Sequence, residues 1–138
     1  RLMAKVASNM EEAFAEARGL DPWAGVSHMT ARAVAAMAAE RDVFRVLLRQ
    51  VPFVPQLPVV VETRAALAAL SQRVRIEAAD ALDLPMPEED AWLISEMLYN
   101  AILEVAFLEV SERKRAELTK ELARLTYRMA VGRDPEAG

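Results

Sequence analysis

An all-α fold of six helices is what the 138-residue sequence predicts. Three observations predict it. Gly is scarce, at four residues, while the helix formers Ala, Leu, Glu and Arg abound. Apolar residues recur every three or four positions in segment after segment. No stretch alternates apolar and polar residues strongly enough to be a strand. The length suits one domain that buries roughly two-thirds of its unfolded surface. No repeat, low-complexity segment or long linker divides it.

The first helix runs from Leu2 to about Arg18, with Met3, Val6, Met10, Ala13 and Ala17 on one face. Gly19 is placed to end it as a left-handed cap. Asp21-Pro22 reads as an N-cap followed by Pro at the first helical position, opening a second helix to about Ala39. Val26, Met29, Ala33 and Met37 share a face of it. A short third helix follows Asp42, with Arg41, Arg45 and Arg49 on one side. Pro52, Pro55 and Pro58 then interrupt the chain, because Pro is excluded from helix interiors. A fourth helix is expected from near Pro58 to about Leu82. Pro85 and Pro87 end the next loop. Glu88, Glu89 and Asp90 suit the positive end of a fifth helix, which extends to near Ser111. The sixth follows a very short turn and runs to about Val131. Its apolar stripe is Leu118, Leu122, Leu125 and Met129, and Gly132 caps it.

Composition excludes several classes. With no Cys, disulfides, thiolate catalysis and Cys-based zinc sites are ruled out, and a disulfide-free helical domain suits the cytoplasm. A formal net charge of −4 argues against this segment gripping a phosphate backbone. No run of about 18 apolar residues is available to span a membrane, and no signal peptide is present, so no membrane partner is expected. The chain opens at Arg1 inside a helical pattern and without an initiator Met, which predicts that residues precede it.

Enzymatic signatures are missing as well. There is one His, His28, with no nucleophile elbow, no Gly-rich phosphate loop and no paired Glu-x-x-His. No catalytic residue, metal ligand or cofactor is assigned. His28 is either a satisfied, partly exposed side chain or a polar contact to a small molecule. The prolines spell Pro-x-x-Pro twice, but Val51, Phe53, Val54 and Leu57 surround them, which favours internal packing over a groove ligand. Phe14, Trp23, Met29, Phe53, Trp92, Met97, Tyr99 and Phe107 are each ordinary core residues. Taken together they come from four helices and a loop, as the lining of a cavity between helices would.

The fifth helix is the most informative element. At ~100° per residue, Glu89, Glu96, Asn100, Glu104 and Ser111 fall in one sector, together with Leu93 and Phe107. The remaining arc is apolar and wider than one-sided burial needs. Such a helix is central in its fold or buries a second face against a partner. Paired with the sixth helix, it would form a four-helix bundle with a twofold-related copy.

This order of elements resembles the C-terminal, ligand-sensing and dimerising domain of TetR/AcrR-type transcriptional regulators. "ERDVFRVLLRQVPFVPQLP" is similar to the family's short helix and Pro-containing bend. "LYNAILEVAFLEVSER" and "AELTKELARLTYRMAVG" are similar to its last two helices. The resemblance covers nearly the whole chain as a pattern of helices and apolar positions. It implies a sensor domain over residues 1–138, with residues 1–18 as a connecting helix and residues 88–131 as a dimerisation hairpin. It also implies a preceding helix-turn-helix domain, absent from this sequence, as the only route to DNA. The expected partners are a second copy and a small hydrophobic effector.

Helix geometry nominates Phe14, His28, Met29, Phe53, Trp92, Met97 and Asn100 for the effector cavity. Ala101, Val105, Leu108, Leu118, Leu122, Leu125 and Met129 are nominated for the dimer interface. Asn100 is expected to turn into the cavity, and Glu104 to meet Arg124 or Arg128 at the dimer seam. The competing reading is an all-helical homodimeric interaction domain with no small-molecule site. A helical enzyme is the third.

Overall fold

Asp21 starts the helix around which the others are arranged. Its backbone is extended (φ −66°, ψ 162°) and its carboxylate accepts the Ala24 N–H at 3.0 Å, with Pro22 in the first turn. That is the side-chain cap expected from the sequence. The computed structural model describes residues 2–50 and 87–135, together with isolated helical positions at Ala65, Ala69, Ile76 and Asp80. The described helices are α1 (Leu2–Ala17), α2 (Pro22–Ala39), α3 (Arg41–Gln50), α4 (Glu88–Phe107) and α5 (Glu112–Val131). The expected fourth helix, Phe53 and the Pro52–Pro58 bend lie outside the described residues, apart from those four positions. Among the described residues there is no strand, and no helix is long and apolar enough to cross a membrane.

Helix α2 packs against α1, α3, α4 and α5. Its alanine-rich sequence explains this, because small side chains let neighbouring helix axes approach closely from several sides. Val34 and Met37 of α2 join Ala106 of α4 in the core. Met10 of α1 and Tyr99, Ile102, Leu103 and Val105 of α4 pack around them. Each fully buried Val or Met contributes about 1.5–3 kcal/mol of hydrophobic stabilisation.

Ion pairs set the direction of α1. Lys5 meets Glu40 at 2.8 Å, Glu12 meets Arg32 at 3.4 Å, and Glu16 meets both Arg32 and His28, so α1 runs antiparallel to α2. On the other flank, Trp23 stacks edge-on against Tyr127, with ring centroids 5.7 Å apart. Helix α5 is therefore antiparallel to α2 as well, while α4 runs alongside α2 in the same sense.

Three helix boundaries differ from the sequence expectation. Gly19 is not a left-handed cap; α1 ends at Ala17, and the Leu20 N–H turns back to the Ala17 carbonyl at 3.0 Å. The left-handed glycine is Gly132 (φ 84°), which closes α5 and donates to the Arg128 carbonyl at 2.8 Å. Ser111 does not end α4 but starts α5, where its hydroxyl accepts the Lys114 N–H at 3.1 Å. α4 stops at Phe107, leaving a four-residue turn.

Candidate functional site

The α4–α5 hairpin buries residues of mixed size and leaves several large apolar ones on display. α4 buries Ala91, Ser95 and Ala106. Its Trp92, Leu93 and Met97 remain 51, 51 and 56% exposed. α5 buries Arg115, Ala123, Thr126 and Tyr127. Leu125 and Met129 are exposed, and Leu118 and Leu122 are half-buried. The buried stripe of α5 thus lies roughly 100° around the helix from its leucine stripe. The exposed apolar side chains form a patch available to something outside the chain.

Between the two helices runs an apolar groove of about 570 Å³, lined by Met97, Leu98, Ala101, Leu122, Leu125, Thr126, Arg128 and Met129. It brings together four of the residues nominated for a dimer interface: Ala101, Leu122, Leu125 and Met129. The other three are elsewhere. Val105 packs toward the core around Val34, Met37 and Ala106, Leu108 is exposed in the turn, and Leu118 is half-buried on α5. At the groove wall the Thr126 hydroxyl is buried without a hydrogen-bond partner among the described residues. Thr126→Val keeps the side-chain shape and removes that group. It is expected to raise stability by about 1 kcal/mol, seen as a higher denaturation midpoint.

Among the described residues, those nominated for an effector cavity are spread over α1, α2 and α4. Phe14 is buried on α1, with the Arg18 guanidinium 4.7 Å from its ring centre. His28 and Met29 are half-buried on α2, and Nε2 of His28 lies 2.8 Å from the Glu16 carboxylate. Trp92, Met97 and Asn100 lie on exposed positions of α4, so they point away from the core that Phe14 enters. Phe53 lies outside the described residues. Glu104 is exposed, and the arginines expected to meet it are engaged within the chain: Arg124 by Glu121 and Asp134, and Arg128 by Asp134 at 3.9 Å. The hydrogen bond from Arg124 holds the Glu121 carboxyl below its usual range. Its contribution to stability is present above the unfolded-state pKa and is lost as pH falls through the lower folded value. The exposed position of Glu121 keeps that contribution small.

Sequence reasoning missed the buried arginine of the hairpin. Arg115 is only 4% exposed. Its Nη1 donates to the carbonyls of Val105 at 2.6 Å, Ala106 at 2.9 Å and Leu108 at 3.1 Å. Arg45 of α3 donates to the Phe107 carbonyl at 3.1 Å. Both cations stand at the negative end of α4, which has no basic residue in its own last turn. The available signal was positional. Arg115 stands at helical spacing from Ala123 and Thr126, and so belongs to the buried stripe of α5.

Among the described residues, no group of three or more His, Asp or Glu side chains is placed to hold a metal ion. Compared with family models, curated proteins and solved structures, the chain matches none of them.

Proposed function

We propose that this chain is the effector-sensing, dimerising domain of a TetR-like transcriptional regulator, a repressor released from DNA by a small hydrophobic effector. The observation that carries the proposal is the outward apolar face of the α4–α5 hairpin, where Trp92, Leu93, Met97, Leu125 and Met129 stand exposed. A helix with so wide an apolar arc either is central or buries a second face. α2 holds the central place here, which leaves the second option for α4. A twofold copy would cover that face with its own hairpin.

The sensing step is a population shift. α1 is clasped to α2 by Lys5–Glu40, Glu12–Arg32, Glu16–Arg32 and Glu16–His28, so a ligand that repositions α2 carries α1 with it. α1 would continue into a helix-turn-helix domain preceding Arg1, the sole route to DNA. Half-sites on DNA lie ~34 Å apart, so a small change in the spacing of the two heads breaks simultaneous docking. A coupling of ~1–3 kcal/mol is ordinary for such a switch.

A second reading, a homodimeric interaction domain with no small-molecule site, is favoured by the scatter of Phe14, His28, Trp92 and Asn100 over separate surfaces. A thermal-shift screen of hydrophobic compounds, run beside sedimentation, separates the two. The sensor reading expects a dimer and at least one stabilising compound. A dimer that no compound stabilises supports the second reading, and a monomer at micromolar concentration defeats both.

A further inference from the structure

Between α2 and the first half of α5 lies a second concavity, of about 660 Å³, on the side of α5 that carries Arg115. Its floor is built from small side chains, chiefly Ala31, Ala35 and Ala39 of α2, which stay exposed, together with Val34 and Ala116. Its polar lining is unusual for an acidic chain. Arg41, Arg115 and Lys120 face one carboxylate, Glu112, so the local balance is positive where the chain as a whole carries −4.

Two of those cations keep an unused donor. The Nε groups of Arg41 and Arg115 are both buried and make no hydrogen bond among the described residues. Arg115 is the stronger indicator, being 4% exposed. Its Nη1 is consumed by the α4 carbonyls, and its Nε faces Glu112 at 3.5 Å without hydrogen-bond geometry. Buried donors left without acceptors are rare in folded proteins and call for an explanation. An acceptor supplied from outside the chain is one that fits the charge, the volume and the apolar floor together.

We infer that the α2–α5 cleft binds a small organic acid, with its carboxylate at the end lined by Arg41, Arg115 and Lys120 and its compact apolar body along the Ala31–Ala35–Ala39 ridge. This rests on the sensor reading and narrows its effector from hydrophobic to amphipathic and anionic. It places the ligand beside α2, the helix that holds α1. None of the residues nominated from the sequence lines this cleft.

The test uses octanoate and 2-naphthoate against their neutral counterparts 1-octanol and 2-naphthamide, titrated into the full chain by calorimetry with thermal shift in parallel. The acids are expected to bind at least ~10-fold more tightly than the neutral compounds, since charge-assisted hydrogen bonds are the strong ones. Arg41→Gln should erase that preference and leave the weak neutral binding unchanged. Ala35→Trp, at an exposed position, should fill the cleft and abolish binding of both. Equal binding of acids and neutrals overturns the inference, as does acid binding that survives Ala35→Trp. In either case the sensor reading stands, because a ligand has bound. If no acid binds but a neutral compound does, this inference alone falls. If nothing binds, both fall.

Discussion

Arg115→Met is expected to lower the unfolding free energy by about 3 kcal/mol. A helix leaves its last four carbonyls without internal partners. In α4 these lie against α2 and α5, and no basic residue of its own last turn serves them. Arg115 serves the Val105, Ala106 and Leu108 carbonyls through a single nitrogen. Methionine fills much of the same volume but donates nothing, so the buried carbonyls lose their partner. Hydrogen bonds to charged groups are worth about 1.5–3 kcal/mol each, and the desolvation of the guanidinium, which disappears with it, offsets part of the loss. Arg115→Lys keeps the charge without the planar fork and should recover about half. Arg45→Met is the comparison. Its guanidinium serves one carbonyl and the exposed Glu109 carboxylate, so it should cost less than about 1 kcal/mol. Urea titration of the four proteins measures the ranking. If Arg115→Met is no worse than Arg45→Met, the capping role assigned to Arg115 is wrong.

Much of the helical framework was legible because its signals are local. The Asp21-Pro22 start of α2, the three acids opening α4 and the Gly132 end of α5 each depend on residues within one turn of the boundary. Gly19 shows the limit of such signals, since a glycine permits a left-handed turn without requiring one. The inward faces were less legible. Periodicity finds apolar stripes and assumes that the largest residues point inward. α5 breaks that assumption by burying Arg115, Thr119's neighbour Ala123, and Thr126, while Leu125 and Met129 face out. The site residues fared according to the same rule. Four interface nominations drawn from one stripe on each hairpin helix converge on one groove. The cavity nominations were picked by side-chain type across separate helices, and nothing local ties Phe14 to Trp92 or Asn100.

Met97→Glu is expected to raise the dissociation constant of the proposed dimer at least ~100-fold while leaving the fold of each copy intact. The separation of the two effects comes from exposure. Met97 is 56% exposed within the chain, so a carboxylate there remains hydrated in the monomer, and surface changes of this kind usually alter stability by less than about 0.5 kcal/mol. Across a twofold interface the same substitution enters twice and brings two charges into a groove whose lining, apart from Thr126 and Arg128, is the apolar Leu98, Ala101, Leu122, Leu125 and Met129. Val105→Arg would not serve. Val105 packs toward Val34, Met37 and Ala106, so that variant unfolds the chain and reports nothing about assembly. Sedimentation equilibrium should show a dimer for the original sequence and a monomer for Met97→Glu, with the helical circular dichroism unchanged. Losing the partner lowers the apparent melting temperature by mass action, so melts over a range of concentrations distinguish dissociation from damage to the fold. The original sequence should melt at temperatures that rise with concentration, and the variant at one temperature throughout. A variant that stays dimeric at low micromolar concentration would move the interface away from the α4–α5 groove.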